Sequence, residues 1–155
     1  MSARGTRADA LTDALQAALA TEHRAVFGYA LLGPRCSADD RELAVTCTAA
    51  HEQARDATMT TLAAAGADPV GPDPDYPALY PVRDAAAARA LAVRLEDGVA
   101  AGWRYAYAVA ASVGGTRATR LRATAQRQLT AAAIRATRWR SRVDPARATT
   151  PFPGI

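Results

Sequence analysis

A chain of 155 residues, half of them hydrophobic, is the right size for one domain around one core. No apolar run approaches the ~18–20 uncharged residues of a membrane helix, so a membrane-spanning protein is not expected. The net charge of +4 is unevenly spread: residues 1–113 hold ten arginines against fourteen acids, residues 114–155 nine arginines against Asp144 alone.

All nineteen basic residues are arginine. Alanine, the strongest helix former, is used throughout, and strand-forming runs of valine, isoleucine and threonine are missing. The chain reads as all-α. Its N-terminus carries arginines but no apolar core with a small-residue cleavage site, so no signal peptide is expected and the location is read as cytoplasmic.

The first helix is predicted over about 9–32, capped by Asp9 or Thr12 and stopped by Gly33-Pro34. Leu11, Leu15, Ala18, Leu19, Ala25, Val26, Tyr29 and Leu32 recur at helical spacing. Glu22 falls inside that stripe, where a carboxylate is costly unless a cation, metal or donor meets it. The second helix, about 37–65, opens on Ser37 with Asp39, Asp40 and Glu42 in its first turn and closes at Gly66. It carries His51 and, four residues on, Arg55. Cys36 and Cys47 lie too far apart along the chain, at ~1.5 Å of rise per helical residue, for a disulfide, and are read as reduced.

Residues 67–83 hold prolines at 69, 72, 74, 77 and 81, which exclude a helix and favour extended backbone. The third helix, about 84–113, is capped by Asp84 and carries Glu96 beside the stripe Leu91, Leu95 and Val99. Gly114-Gly115 breaks it, Thr116 caps the fourth, about 116–143, and residues 144–155 form a tail that Phe152 and Ile155 pack back on the bundle. One domain over 1–155 is expected.

The helices are joined by short, long and short links. Short links make antiparallel neighbours, whereas a 17-residue extended link spans ~50–60 Å, more than a ~40 Å helix. The third helix can therefore start at the same end as the second. That is an all-α, ferritin-like four-helix bundle with a long, proline-rich crossover between helices 2 and 3. The segments ALATEHRAVFGYALLG, HEQARDATMTTLAAAGADP and YPVRDAAAARALAVRLEDGVAAGWRY, with the closing PFPG, resemble an actinobacterial ferritin-like family of unknown function. The resemblance covers most of the chain. It implies the bundle and brings no settled activity with it.

Di-iron centres of this fold take a Glu from each of two helices and a Glu-x-x-His from each of the other two. Glu22 and Glu96 stand where the single carboxylates would. Three residues before His51 is Thr48, and Glu52 points some 100° away from His51. The fourth helix offers only amides such as Gln126 and Gln128. The expectation is a degenerate site: a buried polar centre of Glu22, His51, Arg55, Glu96 and Gln128, with the Arg55 guanidinium supplying charge that metals once did. No cofactor is expected. The alternative is a divergent metal-binding protein or metal-dependent oxidoreductase holding iron or manganese on Glu22, His51 and Glu96.

His23, some 100° from Glu22, is read as facing solvent or an interface. Trp103, Tyr105, Tyr107 and Trp139 are read as packing residues, Cys47 as a small buried hydrophobe, and Tyr76 and Tyr80 as pins for the crossover. Arg117, Arg120, Arg127, Arg135, Arg138, Arg140 and Arg142 could bind nucleic acid. Pairing with acids such as Asp39, Asp40, Asp73 and Asp75, within the chain or across a homodimer, is favoured. The leading function is a non-catalytic binding or structural bundle.

Overall fold

The computed structural model describes residues 3–154. Four long helices dominate: α1 (Ala3–Leu32), α2 (Ala38–Ala64), α3 (Ala85–Val113) and α4 (Gly115–Ser141). Three single-turn 3-10 helices sit at Gly33–Arg35, Pro77–Leu79 and Pro145–Arg147. The expected helices are all present, with differences at the caps. No proline lies between Ala3 and Asp9 and Gly5 is tolerated within the helix, so α1 runs through both expected caps, and the Thr12 hydroxyl donates to the Ala8 carbonyl. Asp84 caps α3 as expected, accepting from the Ala87 N–H at 2.8 Å. The Ser37 hydroxyl instead donates to the Asp40 carboxylate. Thr116 lies within α4, because Gly114 at φ +71° makes the corner without it.

The crossover is traced by contacts climbing α1. Gln16 donates to the Asp68 carbonyl and accepts from the Val70 N–H, and Phe27 meets the Tyr76 ring at 5.1 Å. The starts of α2 and α3 and the end of α4 then meet at one end of the bundle. There buried Asp40 lies 2.7 Å from Arg89 and 3.4 Å from Arg142. Thus α2 and α3 run parallel, as the ferritin-like topology requires. The Leu79 side chain is buried and Tyr80 half-exposed, so Tyr76 and Leu79 pin the crossover and Tyr80 does not.

The core is in two halves. One gathers Leu11, Leu15, Leu19, Leu62, Val99, Trp103 and Leu121; the other gathers Tyr29, Leu32, Leu43, Leu79, Leu91, Leu95 and Trp139. Between them the buried side chains are polar. Helix α1 packs closely on α2 and α3, and α3 on α4, while α2 and α4 stand apart and leave a groove. Close approach needs small residues at two places: a Cβ on Gly28 would come within 2.5 Å of Leu95, and one on Gly102 within 2.8 Å of Thr21.

The tail lies on α3 by a different contact from the one expected. The Gly154 carbonyl accepts from Arg104 at 3.3 Å, and a Cβ there would meet the Ala100 carbonyl oxygen at 2.8 Å. Phe152 is 70% exposed, because the closely fitted backbone at Gly154 carries the contact instead, and Ile155 lies outside the described residues. Cys36 and Cys47 are buried free thiols, and burial raises both pKa values. Among the described residues no helix is long and apolar enough to cross a membrane.

Candidate functional site

Each helix sends one charged side chain to the middle of the bundle: Glu22 from α1, His51 from α2, Glu96 from α3 and Arg135 from α4. Glu22, His51 and Glu96 are fully buried, and the Arg135 side chain is 11% exposed. On α1 and α3 the carboxylates take the place an apolar residue would hold in the stripe, so burying the stripe buries them.

His51 is the hinge of the arrangement. Its Nδ1–H donates to Glu22 Oε2 at 2.7 Å and its Nε2–H to Glu96 Oε1 at 3.0 Å. An imidazole that donates from both nitrogens to carboxylates is an imidazolium. Burial alone would lower the His51 pKa, but the hydrogen bonds and charges of Glu22 and Glu96 outweigh it and raise the pKa to about 9. Burial would likewise raise the Glu96 pKa, yet His51, Arg135 and Tyr29 together lower it.

The remaining acceptor sites are also filled. Glu22 Oε1 accepts from the Trp103 indole N–H at 2.7 Å. Glu96 Oε1 accepts from the Tyr29 hydroxyl at 2.7 Å, and Glu96 Oε2 from Arg135 Nε at 2.9 Å. The Tyr29 oxygen in turn accepts from the Trp139 indole N–H at 2.8 Å. Burial, then the Glu96 charge, raises the Tyr29 pKa well above its ordinary value, so its proton stays on. The result is an unbroken hydrogen-bonded chain, Trp103–Glu22–His51–Glu96–Tyr29–Trp139, with Arg135 joined at Glu96. Two carboxylates face one imidazolium and one guanidinium, and the formal charge sums to zero.

Two of the expected members are elsewhere. Arg55 follows His51 by four residues, but its Nε donates to exposed Asp56 at 2.7 Å, at the bundle surface. Four residues turn a helix some 40° past a full revolution, and the long side chain then carries its charge to water. Gln128 is half-buried and lines the groove between α2 and α4, two turns before Arg135. His23 is 6% exposed rather than solvent-facing: its Nε2 lies 2.9 Å from the Val70 carbonyl, because the crossover covers it. Trp103 and Trp139 are core residues whose indole N–H groups also serve the network, while Tyr105 and Tyr107 are exposed.

The arginines of α4 divide by position. Towards its C-terminal end Arg135 meets Glu96, Arg140 Nη2 donates to both oxygens of Asp97, and Arg142, just past the helix, lies by Asp40. Arg117, Arg120 and Arg127 line the groove. Among the described residues no carboxylate pairs with any of these three.

A bundle with this crossover and facing carboxylates from α1 and α3 is ferritin-like. The chain belongs to the family described as Domain of unknown function (DUF4439), which matches residues 14–155. A crystal structure of a conserved hypothetical protein from Mycobacterium tuberculosis is similar at TM-score 0.78 and 31% identity, over 87% of this chain and 97% of that one. A crystal structure from Bacillus anthracis str. Ames, described as ferritin-like, diiron-carboxylate, is similar at TM-score 0.76 and 14% identity, over 93% of this chain and 100% of that one; it shares the fold. No curated protein matches the chain.

Proposed function

We propose that this is a ferritin-like bundle whose metal chemistry has been replaced by a self-neutralised ionic layer, leaving a non-catalytic protein with a binding or structural role. The observation that carries this reading is the His51 ring held between two buried carboxylates, Nδ1 2.7 Å from Glu22 Oε2 and Nε2 3.0 Å from Glu96 Oε1, an arrangement that calls for a proton on both nitrogens. A metal ligand histidine offers a lone pair, and an imidazolium has none. A pair of iron ions also calls for carboxylate and imidazole from the fourth helix, and α4 offers the guanidinium of Arg135 instead. These residues do not fit two metal ions. They fit the charge that two metals would have neutralised.

Protein produced with iron, manganese and zinc present should carry well under one metal per chain by mass spectrometry, with Glu22→Ala no different. Near-stoichiometric metal that disappears in Glu22→Ala would overturn the proposal in favour of a metalloprotein.

The pH dependence follows from the same bonds. His51 has a folded pKa of about 9 against an unfolded 6.5, so its contribution is fully present below pH ~6.5 and is lost as pH rises through about 9. Glu96, lowered on folding, contributes above the ordinary carboxylate range and loses this on acidification. The His51 shift corresponds to roughly 3 kcal/mol. Thermal unfolding followed by circular dichroism should therefore show Tm falling between pH 6.5 and 9, and a His51→Gln variant should show a flatter profile there. A wild-type Tm level across that window would contradict the imidazolium.

A further inference from the structure

The groove between α2 and α4 has a volume of about 850 Å³, within the range of small-molecule sites. It runs from Ala54 and Gln128 near mid-bundle to Ala65 and Thr116 at the end, about 17 Å at ~1.5 Å of rise per residue. Its floor is apolar, from the buried side chains Leu11, Leu15 and Leu121. The α2 wall is formed by alanines and threonines, and the hydroxyls of Thr58, Thr60 and Thr61 donate to the carbonyls of Ala54, Asp56 and Ala57 on their own helix. Those donors are spent, so the wall is less polar than its composition suggests.

Charge is confined to the α4 rim. Arg117 and Arg120, one turn apart, stand at the open end, and Arg127 stands towards mid-bundle, where it donates to the Thr124 hydroxyl; Arg117 donates to the Thr12 hydroxyl, and among the described residues no carboxylate lines the groove. The same helix puts arginines on carboxylates at its other end, so the absence of acids here is local. A long apolar trough with a paired guanidinium site at one end matches an unbranched acyl chain carrying one carboxylate.

We propose that the α2–α4 groove binds a free long-chain carboxylic acid, its carboxylate on Arg117 and Arg120 and its chain lying along Leu121 and Leu15 towards Ala54. The groove begins at Ala54, three residues after His51 on α2, but Glu22, His51, Glu96 and Arg135 are not among its lining residues, so binding does not require the ionic layer to be as described above.

The test is calorimetric titration of the full chain with myristate below its micelle concentration, beside the neutral alcohol tetradecanol. Two variants change only exposed positions: Arg117→Gln with Arg120→Gln, and Ala57→Trp, which fills the trough from its α2 wall. Saturable one-to-one binding of myristate is expected, weakened at least tenfold in the arginine variant, at least tenfold weaker for tetradecanol, and lost in Ala57→Trp. Circular dichroism checks that both variants fold. Absence of saturable myristate binding, or binding that both variants leave intact, overturns the proposal. So does a dimer in sedimentation that Ala57→Trp dissociates, because a second copy of the chain would then occupy the groove.

Discussion

Replacing His51 with leucine should lower the unfolding free energy by roughly 3–5 kcal/mol, the cost of stranding buried charges that have lost their partner. For a chain of this size that is a drop in Tm of about 10 °C or more. The mechanism is specific. Without the imidazolium, Glu22 keeps only the Trp103 indole and Glu96 keeps Tyr29 and Arg135, and two carboxylates face each other across a cavity. Adding Glu22→Gln and Glu96→Gln to His51→Leu should recover part of the loss, because amides do not need a cation. A Tm within about 2 °C of wild type for His51→Leu alone would show that the layer contributes nothing to stability.

The second large effect separates two arginines. Arg135→Leu should cost about 2–4 kcal/mol, since it removes a nearly buried guanidinium from a fully buried carboxylate. Arg55→Leu should cost at most about 1 kcal/mol, since the Arg55–Asp56 pair lies at the surface. Chemical denaturation of both variants decides between them. If Arg55→Leu were the more damaging, the cation of the layer would be Arg55 and the arrangement of α4 described here would be wrong.

That contrast also marks what could be read from the chain. The helices, their order and the long crossover follow from apolar spacing, glycine and proline punctuation, and link lengths, because these act locally. Glu22 and Glu96 were legible because each interrupts an apolar stripe. Arg135 carried the same signal: Ala132, Ala136 and Trp139 surround it at helical spacing, and all three are buried. It was masked by six other arginines near it on α4, which drew attention to the helix's net charge. Arg55, four residues after His51, shares its helix face by spacing. Spacing alone does not say where a long side chain delivers its charge.

The roles of Tyr29, Trp103 and Trp139 have a different explanation. Read as hydrophobic bulk, each is a packing residue, and each is indeed in the core. Yet a buried indole N–H or phenol O–H must find an acceptor, and in a core this rich in alanine the acceptors within reach are Glu22 for Trp103, Glu96 for Tyr29 and the Tyr29 oxygen for Trp139. That need for acceptors ties Trp103 to Glu22 and Tyr29 to Glu96, and Trp139 to the layer through Tyr29.

Alanine takes many of the inward positions of these helices: Ala14, Ala18 and Ala25 on α1, Ala88, Ala92, Ala100, Ala106 and Ala110 on α3, and Ala118, Ala125, Ala132 and Ala136 on α4. Those alanine rows discriminate weakly against axial sliding, since moving one helix by a turn, about 5.4 Å, puts alanine against alanine again, and it is the leucines, the tryptophans and the close fits at Gly28 and Gly102 that oppose it. The ionic layer adds to that opposition. A one-turn slip of any helix would carry its charged member beyond hydrogen-bond reach of the other three, and the whole cost of burying unpaired charge would fall on the misaligned state. A slipped register would thus be penalised twice, by the lost fits of the large apolar side chains and by the unpaired charges of Glu22, His51, Glu96 and Arg135.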